Sequence, residues 1–580
     1  MKRSGYRGSV SAVALWTLIA ATAGGSGAFQ AASQSRADAH LAAQHVDRGL
    51  NLLKGGKPHE ALAEFQQACQ EDPRSVRALV LAGIAENELG QAEEGASVLR
   101  RALRLDPHSQ AAHYNLALSL AQLKQYNEAI GELRRVLKLN PRFGPASYNL
   151  GVLLEKRGDP EGAIEAFQTA REARPGDPAI VTHLIAAFYM AGKRAQALSL
   201  AREAVSRNSA ADFASQVGLL LIEHNDIEEA IRLLESQRPR AAATPDFTLT
   251  LARAYIAAGQ PQKGIDLLKT IPAADSSWQS AELTGLAYVS LNNPPAALAA
   301  FREAVRLAPA QPKAHLQLGK LLLSSSRAAE QDEGVKEVSR AISLQPQEVE
   351  NYRVLAEWFL RHDYVKPALE VLEQGIHNAP PSAGLEALMA LAQASLHGGI
   401  AARPFAERAL QLAPRLALAH YLVGFAHFTS GDYEGAVKYY REAIEIDSGN
   451  AVFFYNTAVA LERLNRNAEA LPYAEKAAAL RPERGLYHYL LGKLYRKLQR
   501  DRDALRELET SLRLNPQLAS SYYLLLQLYN RAGDTTRAAE MRAKLAELKV
   551  ATDNEVKLSS KETESEREIP PSQVLEGRSP

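Results

Sequence analysis

One cysteine, Cys69, stands in a chain of 580 residues, so neither an intramolecular disulfide framework nor a thiolate metal cluster can form within it. Charge of either sign is in no excess: 67 Lys and Arg oppose 66 Asp and Glu, for a formal net charge of +1. That balance excludes a bulk polycation holding nucleic acid by phosphate neutralisation, which needs a basic excess on one face. Beyond the N-terminal region no run is apolar enough to supply the roughly 20 residues of a membrane-spanning helix. Also missing are the phosphate-loop, Gly-x-Ser-x-Gly, His-Glu-x-x-His and Cys-x-x-Cys patterns that mark common catalytic and redox sites.

What is present begins with Lys2, Arg3 and Arg7, followed by the uncharged stretch Val10–Ala23 and then by small residues. A charged end, a short apolar core and small-residue cleavage positions make a secretory signal. Ala21-Thr22-Ala23 and Ser26-Gly27-Ala28 both offer cuts, so residues 1–28 are assigned to the signal and 29–41 to a linker. The expectation is an exported chain, periplasmic or secreted, with no transmembrane span once cleaved; an uncleaved N-terminal anchor is the alternative. Cys69, without a partner in its own chain, is expected beside Ala68 as a small buried apolar side chain on a helix.

The prolines carry a period. Pro73, Pro107, Pro141 and Pro175 stand 34 residues apart, and the interval returns at Pro380, Pro414, Ser448, Pro482 and Pro516. A small residue stands twelve before each proline, an aromatic or aliphatic one eight before, and usually alanine five before. Ala61, Phe65, Ala68, Pro73 show this, as do Ala163, Phe167, Ala170, Pro175. Those offsets put three side chains on one face of a helix that the proline ends. Upstream lies a second helical stripe, such as Tyr148, Leu150-Gly151 and Leu154, followed by a turn such as Arg157-Gly158-Asp159-Pro160. Each unit therefore reads as a pair of antiparallel helices, neither able to bury its stripe without a neighbour.

A 34-residue unit with Leu-Gly, a turn, Ala-x-x-x-Phe-x-x-Ala and a closing Pro resembles the tetratricopeptide repeat (TPR). The resemblance implies an all-α, right-handed superhelical solenoid of about 15 antiparallel helix pairs. Registered on the closing proline, repeats 1–5 occupy 42–211, degenerate repeats 6–7 occupy 212–277, repeats 8–9 occupy 278–348 and repeats 10–15 occupy 349–552. Departures are Ser209 in place of proline, Pro239 and Pro272 out of step, and an insertion from Ser324 to Gly334. The stretch 209–277 is read as a change of superhelical pitch or as the meeting of two arrays. Residues 553–580 form a tail with seven acidic and four basic residues and no aromatics, expected to be disordered.

In this family the first helices line a concave groove, and positions 2, 5, 9, 12 and 13 of each repeat face it. Carried onto this chain, those positions collect aromatic and basic residues in the last repeats: Tyr421, Phe425 and Phe428; Tyr455 and Arg463; Tyr489, Lys493, Arg496 and Lys497; Tyr523 and Arg531. Twelve of the 21 tyrosines lie between 414 and 530. Rings followed by cations suit a peptide with apolar side chains and a carboxylate. The same residues also suit ordinary repeat packing, because tyrosine is frequent at position 5 and cations solvate helix ends. Asn115, Asn149 and Asn456 fall at position 6, where some members hold a peptide backbone.

His113, His315, His420 and His488 fall at the fourth position of a first helix and are expected to be structural. His420 and His427 lie seven apart with no third ligand in evidence, so neither a metal nor a cofactor is assigned. The reading is an exported, non-enzymatic scaffold that binds a protein or peptide, and no nucleic acid, in assembling a cell-envelope complex. An adaptor subunit of an envelope polysaccharide or protein export machine is the alternative. A TPR-containing transferase is a weaker one, since too few residues lie outside the repeats to bury a catalytic core. The tail is acidic by three charges where the last repeats are basic, so it is a candidate to occupy the groove in cis.

Overall fold

The computed structural model describes residues 34–208, 210–239, 244–555 and 574–575. The expected signal, 1–28, lies outside the described residues, as does most of the tail. Among the described residues the chain forms thirty α-helices and short 3-10 turns with no strand, and in order the helices make fifteen antiparallel pairs. No helix among them is long and apolar enough to cross a membrane.

Repeat 4 shows why the unit folds as it does. Its first helix, Gly144–Arg157, ends at Gly158, which takes the left-handed conformation (φ 78°) and turns the chain back. Asp159 then caps the second helix, Pro160–Ala173, by accepting from the Gly162 N–H at 3.1 Å, with Pro160 at its first position. Ala163, Phe167 and Ala170 are all 0% exposed. Burying the Phe167 ring fully contributes about 2–3 kcal/mol. It can approach because its partner is glycine: a Cβ on Gly151 would stand 2.6 Å from the ring. The same approach recurs between Gly492 and Leu508 at 2.5 Å, which explains the Leu-Gly pair seen in the sequence.

The histidines at the fourth position build a repeated clamp. In repeat 3, His113 Nε2 donates to the Pro107 carbonyl at 3.0 Å, and Nδ1 lies 2.5 Å from a carboxylate oxygen of Glu132 on the second helix. His315 does the same with Pro309 and Glu337, His420 with Pro414 and Glu442, and His488 with Pro482 and Glu507. The closing proline thus does two jobs. It stops one helix, and its carbonyl receives the next first helix.

The chain divides into two compact units, Met1–Ser276 and Ser277–Pro580. The first ends with the degenerate repeats, whose second helices are short: Ile227–Gln237 has 11 residues and Pro261–Leu268 has 8, against 14 in repeat 4. Pro272, four residues past Leu268, cannot continue the helix and restricts Ile271 before it. In the second unit the insertion of repeat 9 is absorbed as a turn at Ser324–Ser326 and a lengthened second helix, Ala328–Leu344.

Within the second unit each first helix also touches the first helix of the next repeat. Val349–Arg361 meets Ala383–His397, which meets Ala417–Thr429, and Ala451–Arg463 meets Gly485–Lys497, which meets Ala519–Ala532. The first helices are thus the more closely spaced row of this unit, as the inner face of a solenoid requires.

Candidate inner-face binding site

Four first helices carry the expected site: Ala417–Thr429, Ala451–Arg463, Gly485–Lys497 and Ala519–Ala532. Their position-5 tyrosines differ in fate. Tyr421 is 0% exposed, with its ring centroid 5.4 Å from Tyr440 and 5.2 Å from Phe453, and its hydroxyl accepts from Asn456 Nδ2 at 2.8 Å. Tyr455 is also buried, its ring centroid 5.1 Å from that of Tyr487, and burial raises its phenol above the ordinary value. Tyr489 is buried as well, whereas Tyr523 is 55% exposed. Phe425 is buried, and the half-buried Phe428 meets Tyr433 edge-on at 5.1 Å.

The cations are arranged differently from the sequence expectation. Lys497 pairs directly with Glu462, and Lys493 Nζ lies 3.4 Å from the same carboxylate oxygen. Burial pushes the Glu462 carboxyl up, but the two lysines outweigh it and hold it below the usual carboxylate range. Arg496 donates to Gln527 Oε1 at 2.6 Å, and Arg531 Nη1 lies 3.4 Å from Asp501 Oδ2. Four cations expected to receive a ligand's carboxylate are thus already partnered by the chain's own groups. Arg463 is exposed.

The asparagines at position 6 serve the array itself. Asn149 Nδ2 donates to the Tyr114 hydroxyl at 3.0 Å, as Asn456 does to Tyr421, so each links successive repeats. Asn115 Nδ2 donates to the Ala111 carbonyl of its own helix at 2.8 Å. His427 Nδ1 lies 2.8 Å from Asp432 Oδ2, and His420 belongs to a proline clamp. Among the described residues no group of three His, Cys, Asp or Glu side chains is placed to hold a metal.

One further contact joins the tail to the repeats. Val574 and Leu575, in the tail expected to be disordered, are each 1% exposed, and the Val574 carbonyl accepts from Asn450 Nδ2 at 3.2 Å. They join the buried cluster that contains Tyr421, Phe425, Tyr455 and Tyr489. The sequence held a local sign of the donor: Ser448-Gly449-Asn450 replaces the closing proline and the two residues after it.

Tetratricopeptide repeat models match residues 46–110, 88–142, 114–178, 282–331 and 489–545, a further one 221–282, and a third 417–450, together more than half the chain. Protein STIP1 homolog of Dictyostelium discoideum is 42% identical over 60 residues, which are 10% of this chain and 11% of that protein. Hsp70-Hsp90 organizing protein 2 of Arabidopsis thaliana is 40% identical over 62 residues, 11% of each. The chain thus spans about a tenth of the length of these relatives. Among solved structures, MamA 41-end from Desulfovibrio magneticus RS-1 is 25% identical with a TM-score of 0.27, covering 29% of this chain and 94% of that one. The APC/C hetero-tetramer Cut9-Hcn1 is 14% identical with a TM-score of 0.37, covering 86% and 97%.

Proposed function

The chain belongs to the tetratricopeptide repeat family, and from that premise we propose that it is an exported, non-enzymatic scaffold. It binds a protein or peptide on the inner face of repeats 12–15 and helps to assemble a cell-envelope complex. The observation that carries the binding reading is a short apolar segment, Val574–Leu575, buried beside Asn450 at the start of Ala451–Arg463, in the same cluster as Tyr421, Tyr455 and Tyr489. Aromatic side chains supply large contact area at small entropic cost, which suits them to anchoring a peptide. The name of one relative, an Hsp70-Hsp90 organizing protein, describes a scaffold's work and supports the general class. Export rests on the Lys2–Ala28 pattern.

Crosslinking of the tagged chain in its native envelope, with mass spectrometry of what it captures, tests the binding reading. The exposed pair Tyr523→Ala/Arg463→Ala serves as the site control because it leaves the core intact. A specific partner lost from the double variant is the expected result; equal capture by both proteins moves the site off this face. N-terminal sequencing tests export: a mature chain beginning at Gly24 or Phe29 is expected, and an intact Met1 in the cytosol overturns that part.

A further inference from the structure

Asn450 does two things at once. Its Oδ1 accepts from the Val452 N–H at 3.1 Å, capping the first helix of repeat 13, while its Nδ2 donates to the Val574 carbonyl. It is 3% exposed, and among the described residues that cap first helices it is the one asparagine. Serine or aspartate, used at Ser75, Ser109, Asp177 and Ser382, caps a helix equally well but has no amide to give. The cap at repeat 13 therefore carries a donor that capping does not require.

The acceptor is equally particular. Val574 and Leu575 form a 3-10 turn, are the two large aliphatic residues of Pro570–Pro580, and are set among polar and charged neighbours. Eighteen residues separate them from Glu555, the end of the last helix. What is buried here is apolar: two side chains and one carbonyl of Val574 and Leu575 make the contact.

We propose that the buried surface beside Asn450, at the start of the first helix of repeat 13, is a site for a short turn bearing two adjacent aliphatic side chains, and that Val574–Leu575 is its built-in occupant, displaced by a partner of the same chemistry. This rests on the groove reading above and names its ligand class. A tethered segment sees its site at an effective concentration on the order of 1 mM. With an intrinsic Kd of about 0.1 mM the segment fills the site about nine-tenths of the time, which weakens a competitor about tenfold.

The test uses a fluorescein-labelled peptide of residues 568–580, titrated by anisotropy into the full chain and into a chain ending at Glu555. Saturable binding to the shortened chain, at least tenfold weaker to the full chain, is expected. Val574→Asp/Leu575→Asp in the peptide abolishes binding, and Asn450→Ser in the shortened chain weakens it at unchanged thermal stability. No binding to the shortened chain, or equal binding to both, overturns the proposal. A full chain that sediments as a dimer and becomes monomeric on shortening seats the segment of a second copy there, overturning the intramolecular form. Should the crosslinked partner still require Tyr523 and Arg463 while the peptide fails, this inference falls and the groove reading stands; loss of both results removes the two together.

Discussion

Asn456 donates its side-chain amide to the Tyr421 hydroxyl at 2.8 Å, and Asn149 makes the same bond to Tyr114 at 3.0 Å in the other unit. In each case the tyrosine is the fifth residue of one repeat and the asparagine the sixth of the next. A pair read as a ligand-facing motif therefore joins repeat to repeat.

Removing one side of such a bond exposes its worth. Tyr114→Phe leaves the Asn149 amide without that acceptor and is expected to cost about 1–3 kcal/mol. Asn149→Leu combined with Tyr114→Phe should cost less than the sum of the two single changes. Urea unfolding of the four proteins checks this; strict additivity would show that the bond contributes nothing.

Gly151→Ala places a methyl group 2.6 Å from the Phe167 ring. Overpacking of that kind costs about 1–3 kcal/mol, and Phe167→Leu should recover part of it by vacating the space. The urea midpoint is again the readout, and an unchanged midpoint for Gly151→Ala would contradict the close approach.

Lys124 and Gln499 hold the left-handed turn position, at φ 61° and 60°, that glycine fills in repeats 4 and 12 as Gly158 and Gly431. A side chain there costs about 1–2 kcal/mol, offset in part by the extra unfolded-state freedom of glycine. Lys124→Gly and Gln499→Gly are expected to stabilise the chain by roughly 0.5–1 kcal/mol each. Calorimetry should show a raised transition temperature for both.

Asp226 joins repeats 5 and 6, receiving the Tyr189 hydroxyl at 2.6 Å and Arg194 Nε at 2.8 Å. Burial pushes its carboxyl up, but these hydrogen bonds pull it below the ordinary value. A carboxylate lowered in the folded state adds stability that is complete above its unfolded value of about 4 and lost as pH falls through the native one. Asp226→Asn should cost about 1–3 kcal/mol at pH 7, since Arg194 is well solvated, and should flatten the acid limb below about pH 4. Parallel acid titrations of both proteins by circular dichroism decide it.

Cys69 is half-buried, and burial raises its thiol to about 11. The thiolate is the reacting form, so alkylation by iodoacetamide at pH 8 should be at least tenfold slower in the folded chain than in urea. Equal rates would place the sulfur in solvent.

The repeat, its helix pairs and its core were legible in the residues because each rests on short-range rules. Proline ends a helix wherever it stands, and Ala163, Phe167 and Ala170 share a face by spacing alone. The fourth-position histidines were read as structural for the same reason, although the proline carbonyl they bind was not foreseen. The site was legible only as a set of positions. Whether Lys493 and Lys497 await a carboxylate or already hold Glu462 depends on how one first helix stacks on the next. That stacking sets distances of a few ångströms between residues about thirty apart. Asn450 and Val574 lie further beyond local rules, being 124 residues apart. Periodicity fixes which face of a helix is buried; only the packed chain decides what that face meets, because a side chain's partner is chosen by proximity in space.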